Sequence, residues 1–89
     1  MIETVAIVRN RAGIHIRPAT AITMEASKTE VPVTVVSPSG ASCVLGSVLQ
    51  LMILALAHGD RVIIRVEGAN AQATADHFRK LFETDFDFP

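Results

Sequence analysis

Between Arg61 and Glu67 the chain sets Val62, Ile64 and Val66 at one parity and Arg61, Arg65 and Glu67 at the other. Successive side chains of a strand point to opposite faces, so this segment reads as a strand with one apolar and one wet face. A sheet built around it is covered on one side only, as in an antiparallel sheet backed by helices.

The other elements follow from local signals. Residues 2–8 read as a strand, and Asn10-Arg11-Ala12-Gly13 as a loop. Val31 to Ser37 is a β-branched strand with Pro32 at its start or on an edge. Ser37-Pro38-Ser39-Gly40 is a turn, and Ala41 to Leu45 a short returning strand. Helices are predicted from about residue 16 to 28, from Ser47 to about His58, and after Asn70, which can cap the last one. Ser47 and Gln50 make a Ser-x-x-Gln capping box, and Gly59 fits the left-handed position past the helix end. In the last helix Ala71, Ala75, Phe78 and Phe82 form an apolar stripe. The tail from Asp85 to Pro89 has no periodicity and is expected to be frayed or loosely docked. The order β-α-β-β-α-β-α implies an α+β open-faced β-sandwich: a four-stranded antiparallel sheet with three helices on one face, as a single domain over residues 1–89.

Composition narrows the function classes. Eighty-nine residues support one domain with a small core, and 49% are hydrophobic with no Trp or Tyr, so aliphatic side chains must fill it. A formal net charge of −1 gives no footprint for nucleic acid. The single cysteine, Cys43, leaves no internal disulfide and suits a reducing cytosol. The chain enters a strand directly, with no signal-like segment, and its longest apolar stretch, Leu51 to Ala57, is too short to span a bilayer. A cytoplasmic protein without membrane insertion is expected. His58 and His77 have no metal-like spacing to His15 or Cys43, and no Walker A loop or catalytic triad is present, so neither metal nor cofactor is expected.

Chemistry concentrates in Gly13-Ile14-His15-Ile16-Arg17-Pro18-Ala19-Thr20. Pro18 marks a helix start, because its φ is pre-set and its missing N–H would be an orphan there. A histidine just before that start faces unpaired N–H groups and the positive end of the helix dipole. That field disfavours imidazolium and stabilises an anion attached to the ring. Arg17, a cation poorly placed for the dipole, offers planar donors suited to a phosphate. These parts suit a histidine that accepts a phosphoryl group and gives it away. The predicted second helix adds another clue: from Val48 to Ala57 only Gln50 is polar, so one apolar face must stay partly exposed and suits docking.

Gly-Ile-His-x-Arg-Pro-Ala-Thr at this position resembles the active-site signature of the HPr family. These are the histidine-containing phosphocarriers of the bacterial phosphoenolpyruvate-dependent sugar phosphotransferase system. Gly46-Ser47-Val48-Leu49-Gln50-Leu51-Met52 resembles the family's regulatory serine and its helix, and Ala57-His58-Gly59-Asp60 and Glu67-Gly68-Ala69 fit as well. The resemblance implies that His15 accepts the phosphoryl group through Nδ1 and Arg17 steadies it. It implies that enzyme I donates and EIIA proteins receive, that Ser47 is a target of an HPr kinase, and that the carrier is a monomer and not an enzyme. Ile16, Thr20, Val48, Leu49 and Met52 are the expected docking residues. The sequence departs from the family's usual pattern at Ala12, where Ser or Asn is common, and at Ile16, which is bulkier than usual. It also carries one extra residue between His15 and Ser47 and lacks basic residues beside that serine. Alternatives are a regulatory phosphocarrier of the nitrogen-related branch, a ferredoxin-like ligand-binding module, and an enzyme using His15 as a general base.

Overall fold

The computed structural model describes residues 1–86. Its order is β1 (Ile2–Ile7), α1 (Ile16–Ser27), β2 (Val33–Val36), β3 (Ser42–Val44), α2 (Val48–Ile53), β4 (Arg61–Val66) and α3 (Ala71–Phe82). The strands form one sheet in the order β1-β4-β2-β3, every neighbouring pair antiparallel. The expected α+β open-faced sandwich is therefore the observed fold. A ferredoxin-like sheet would hold β1 in its interior, whereas here β1 is an edge strand and β4 separates it from β2.

The alternation in β4 is realised as read. Val62, Ile64 and Val66 are fully buried, while Arg61, Ile63 and Arg65 lie on the other face. Beneath the buried face pack Ala19 and Ile22 of α1, Leu51 of α2, and Ala75, Phe78 and Phe82 of α3. Phe78 and Phe82 are the two largest fully buried side chains. Burying each contributes about 1.5–3 kcal/mol, so these two rings do much of the work that Trp or Tyr would do elsewhere. The open face is tied by the Arg65–Glu3 ion pair across β4 and β1. In the β2–β3 turn, Gly40 (φ +92°) donates its N–H to the Ser37 carbonyl at 2.9 Å, and Ser37 donates to Ala41 at 2.7 Å.

Three expectations need correction. Helix α2 stops at Ile53 instead of about His58. Ala55 turns left-handed (φ +53°), and its N–H goes to the Met52 carbonyl at 2.9 Å. No Gly or Pro forces this stop. The following segment is instead committed elsewhere: Leu56 enters the core, its carbonyl accepts from Ile14, and the Ala57 N–H goes to Asp60 Oδ2 at 2.8 Å. Gly59 (φ +88°) accordingly serves the turn into β4 and donates its N–H to Val8, not to a helix end. Asn70 does precede α3, but it is itself left-handed and makes no side-chain cap bond. Of the two expectations for the tail, docking is the one that the described residues show. Asp85 and Phe86 are docked against α1 and the loop before it, while positions 87–89 lie outside the described residues.

Candidate functional site

The segment leading to His15 is pinned residue by residue. Val8 donates to the Asp60 carbonyl at 2.9 Å, extending the β1–β4 pairing past Ile7. The chain then turns over Asn10–Gly13, with the Gly13 N–H on the Asn10 carbonyl at 2.9 Å. The wholly buried Asn10 side chain donates Nδ2–H to the Gly13 carbonyl at 2.7 Å, so the amide has the partner that burial demands. Gly13 has φ +76°, and a Cβ there would sit 2.5 Å from the Leu56 carbonyl oxygen. Only glycine permits that approach. Ile14, itself buried, donates its N–H to the same carbonyl at 2.9 Å. Loop, α1 and the segment after α2 thus meet just ahead of His15.

His15 is the N-cap of α1, with extended backbone and no side-chain capping bond. The residue is half-buried. The first intrahelical bond runs from the Ala19 N–H to the His15 carbonyl at 2.9 Å. The N–H groups of Ile16 and Arg17 therefore have no partner within the helix, and Pro18 has none to satisfy. No acidic residue occupies the first turn of α1. Pro18 sits at the third helical position, inside the first turn where proline is tolerated. Arg17 follows at the second, exposed, with Nη1 donating to the Phe86 carbonyl at 3.3 Å. An imidazole, a guanidinium and two backbone donors at the positive end of a helix can hold a phosphoryl group on the ring.

The expected docking residues fall into two groups. Ile16, Thr20 and Leu49 are exposed, Ile16 at 63% and Leu49 at 71%, whereas Val48 and Met52 are half-buried against the core. Thr20 donates its hydroxyl back to the Ile16 carbonyl at 2.6 Å. Ile53, which sequence reasoning missed, is the most exposed large apolar side chain of α2 at 77%. A shorter helix leaves fewer faces covered, and the early stop of α2 was the missing information. Ser47 caps α2 by accepting the Gln50 N–H at 3.3 Å, the forward half of the box. Asn10 was also missed as a scaffold residue, although Asn-x-x-Gly is itself a turn signal.

Other reactive groups lie in ordinary surroundings. His77 Nε2 lies 2.9 Å from Glu25 Oε1, linking α3 to α1. The bond to His77, then those to Lys28, hold the Glu25 carboxyl below its ordinary value. Burial pushes the Cys43 thiol up, which makes it a poor nucleophile. A hollow of about 450 Å³ lined by Lys28, Val31, Asn70 and Thr74 lies at the end of α1 opposite His15. Among the described residues there is no group of three His, Cys, Asp or Glu side chains placed to hold a metal. No helix among them is long and apolar enough to cross a membrane.

Comparison with known proteins matches this geometry to a family. The family model described as "PTS HPr component phosphorylation site" matches residues 2–84. Phosphocarrier protein HPr of Mycoplasma genitalium is 36% identical over 67 residues, covering 75% of this chain and 76% of that protein. HPr of Mycoplasma pneumoniae is 32% identical over 77 residues, covering 86% and 88%. The crystal structure of HPr-C-His from Thermoanaerobacter tengcongensis superposes with a TM-score of 0.87 at 25% identity, covering 100% of this chain and 99% of that one. With the signature on the first turn of α1 and the whole sheet in common, the chain belongs to the HPr family of phosphotransferase-system phosphocarriers.

Proposed function

We propose that this chain takes a phosphoryl group from phosphorylated enzyme I onto His15 and passes it to EIIA proteins in the cytoplasm. The observation that carries the proposal is the placement of His15 as an N-cap without a side-chain capping bond, with Arg17 and two backbone N–H groups unpartnered within the helix in the turn that follows. In the forward step the N–P bond on enzyme I breaks as Nδ1 of His15, in the tautomer protonated at Nε2, forms the new N–P bond. The choice of Nδ1 is the family's. Charge on the transferring oxygens meets the N–H groups of Ile16 and Arg17 and the Arg17 guanidinium, which act by preorganised electrostatics. The phosphoramidate stays labile, and in the onward step its N–P bond breaks as an acceptor side chain of EIIA forms a new bond to phosphorus, leaving Nδ1 of His15 free. The chain is a stoichiometric carrier, monomeric, with no metal or cofactor in the step.

Docking uses the apolar surface where α1 and α2 pack together. Ile16 and Thr20 contribute from α1, and Leu49 and Ile53 from α2 with Val48 and Met52 beneath them. Ser47 is the regulatory position: a phosphate there is compatible with the helix start but adds nearly two negative charges to that surface. Enzyme I and an EIIA protein from the same genome test the relay. Phosphate counted on all three proteins over time should pass through this chain to the acceptor. Label that reaches this chain and never leaves for EIIA would remove the second half of the proposal.

A further inference from the structure

Gly13, two residues ahead of His15, is required because a Cβ there would sit 2.5 Å from the Leu56 carbonyl oxygen. The same missing Cβ makes it the freest link of the loop. The peptide that joins it to Ile14 is nonetheless held at both ends. Its N–H goes to the Leu56 carbonyl at 2.9 Å, and its carbonyl accepts Nδ2–H of Asn10 at 2.7 Å. That second bond comes from a wholly buried side chain on a fixed base. Val8 donates to the Asp60 carbonyl at 2.9 Å and accepts the Gly59 N–H at 2.8 Å, so the chain approaches Asn10 from a set position. A leucine would fill the same place with no amide to satisfy, so burial alone gives no reason for asparagine. Between the locked peptide and His15 lies only the buried Ile14, and the His15 carbonyl is itself tied to the Ala19 N–H at 2.9 Å. The backbone of His15 is thus held from both sides.

We propose that Asn10 is a positioning residue for phosphoryl transfer: its amide locks the Gly13–Ile14 peptide and so fixes the direction in which the His15 ring leaves the backbone. The proposal rests on the reading of His15 as the phosphoryl acceptor. The donors for the transferring oxygens, the N–H groups of Ile16 and Arg17, are set by the helix and do not follow the ring. A ring on a looser peptide spends time in orientations where the phosphoryl group misses those donors. Asn10 is wholly buried and so meets no partner protein. Its effect falls on the chemical step and leaves docking alone.

Two substitutions in the full chain, Asn10→Ala and Asn10→Leu, both remove the donor, the first opening space and the second filling it. Phe78→Leu, in the core beneath the sheet, is the destabilised control, and all are assayed where they are folded. With phosphorylated enzyme I as donor, both Asn10 variants lose about 10- to 100-fold in kcat. Their KM for the carrier stays within about 2-fold of wild type, and Phe78→Leu keeps its kcat. An unmoved kcat, a fall in only one Asn10 variant, an equal fall in Phe78→Leu, or a loss carried by KM overturns the proposal. Side-chain couplings that report the His15 rotamer give a second readout: one orientation in the wild type and Phe78→Leu, an averaged one in both Asn10 variants. In the wild type alone, fast solvent exchange of the Asn10 amide protons would overturn the lock even if neither Asn10 variant folds. If enzyme I labels none of the proteins, the reading of His15 fails, while the rotamer couplings still decide whether Asn10 aims the ring.

Discussion

The Ile14 N–H donates to the Leu56 carbonyl at 2.9 Å, and this bond joins the residue before His15 to the segment that follows α2. Gly13 makes the approach possible, since any Cβ there would lie 2.5 Å from that same oxygen. Gly13→Ala is expected to cost about 2–4 kcal/mol, from the left-handed φ together with the displaced hydrogen bond. Chemical denaturation measures it. A loss below half a kilocalorie would mean that the contact is not a constraint.

Arg17 stands where a helix start makes a cation unwelcome, which a phosphoryl group on His15 would offset. Arg17→Ala should slow phosphoryl acceptance by about 10²–10³-fold, the usual loss for one preorganised donor, with stability nearly unchanged. Single-turnover transfer from enzyme I gives the number. A rate within a factor of three of wild type would take Arg17 out of the mechanism.

Leu49 and Ile53 project from the same short helix whose Leu51 is wholly buried. Leu49→Asp and Ile53→Asp should leave folding within about 0.5 kcal/mol of wild type. Both should still weaken transfer from enzyme I at limiting concentration. Leu51→Ala should instead cost about 2–5 kcal/mol by opening a cavity. Undiminished transfer by both Asp variants would place the docking surface elsewhere.

Much of this was legible beforehand, for physical reasons that differ by element. The parity of β4 was plain because a one-sided sheet needs it, and the place of His15 followed from Pro18. The end of α2 was not legible, because Ala55 and Leu56 carry no breaker, and the segment is held instead by Ile14 from a distant part of the chain and by Asp60 just beyond it. The exposed faces of α2 differ accordingly, and Ile53 stands out only because the helix is short. The contacts of Asp85 and Phe86 were hidden for a similar reason. A tail without periodicity gives no local sign of a partner more than sixty residues away.

Ser47 accepts the Gln50 N–H at the start of α2. Ser47→Ala should lower stability by about 0.5–1 kcal/mol, while Ser47→Asp keeps the cap and adds charge to the surface proposed for docking. Asp should therefore lower transfer from enzyme I more than Ala does, in the opposite order to their stabilities. Equal transfer rates would separate Ser47 from docking.

Glu25 titrates below its ordinary value of 4.5, chiefly through its hydrogen bond with His77 and then through Lys28. A carboxyl with a lower value folded than unfolded binds fewer protons in the folded state. Its stabilising effect is present above the unfolded value and fades as pH falls through the folded one. His77→Gln should move the Glu25 titration upward and shrink the loss of stability on acidification below 4.5. A carbon-detected titration of the carboxyl reads the shift directly, and an unmoved curve would show that Lys28 alone sets it.

The central claim is that His15 itself carries the phosphoryl group. Phosphoenolpyruvate and purified enzyme I, with intact mass as the readout, test it for the wild-type chain and His15→Ala side by side. A relay through His15 predicts the gain of one phosphate, stable in base and lost in acid, in the wild type and none in the variant. A folded wild type that takes no label from the enzyme I of its own organism, or a variant that takes it equally, would contradict that relay.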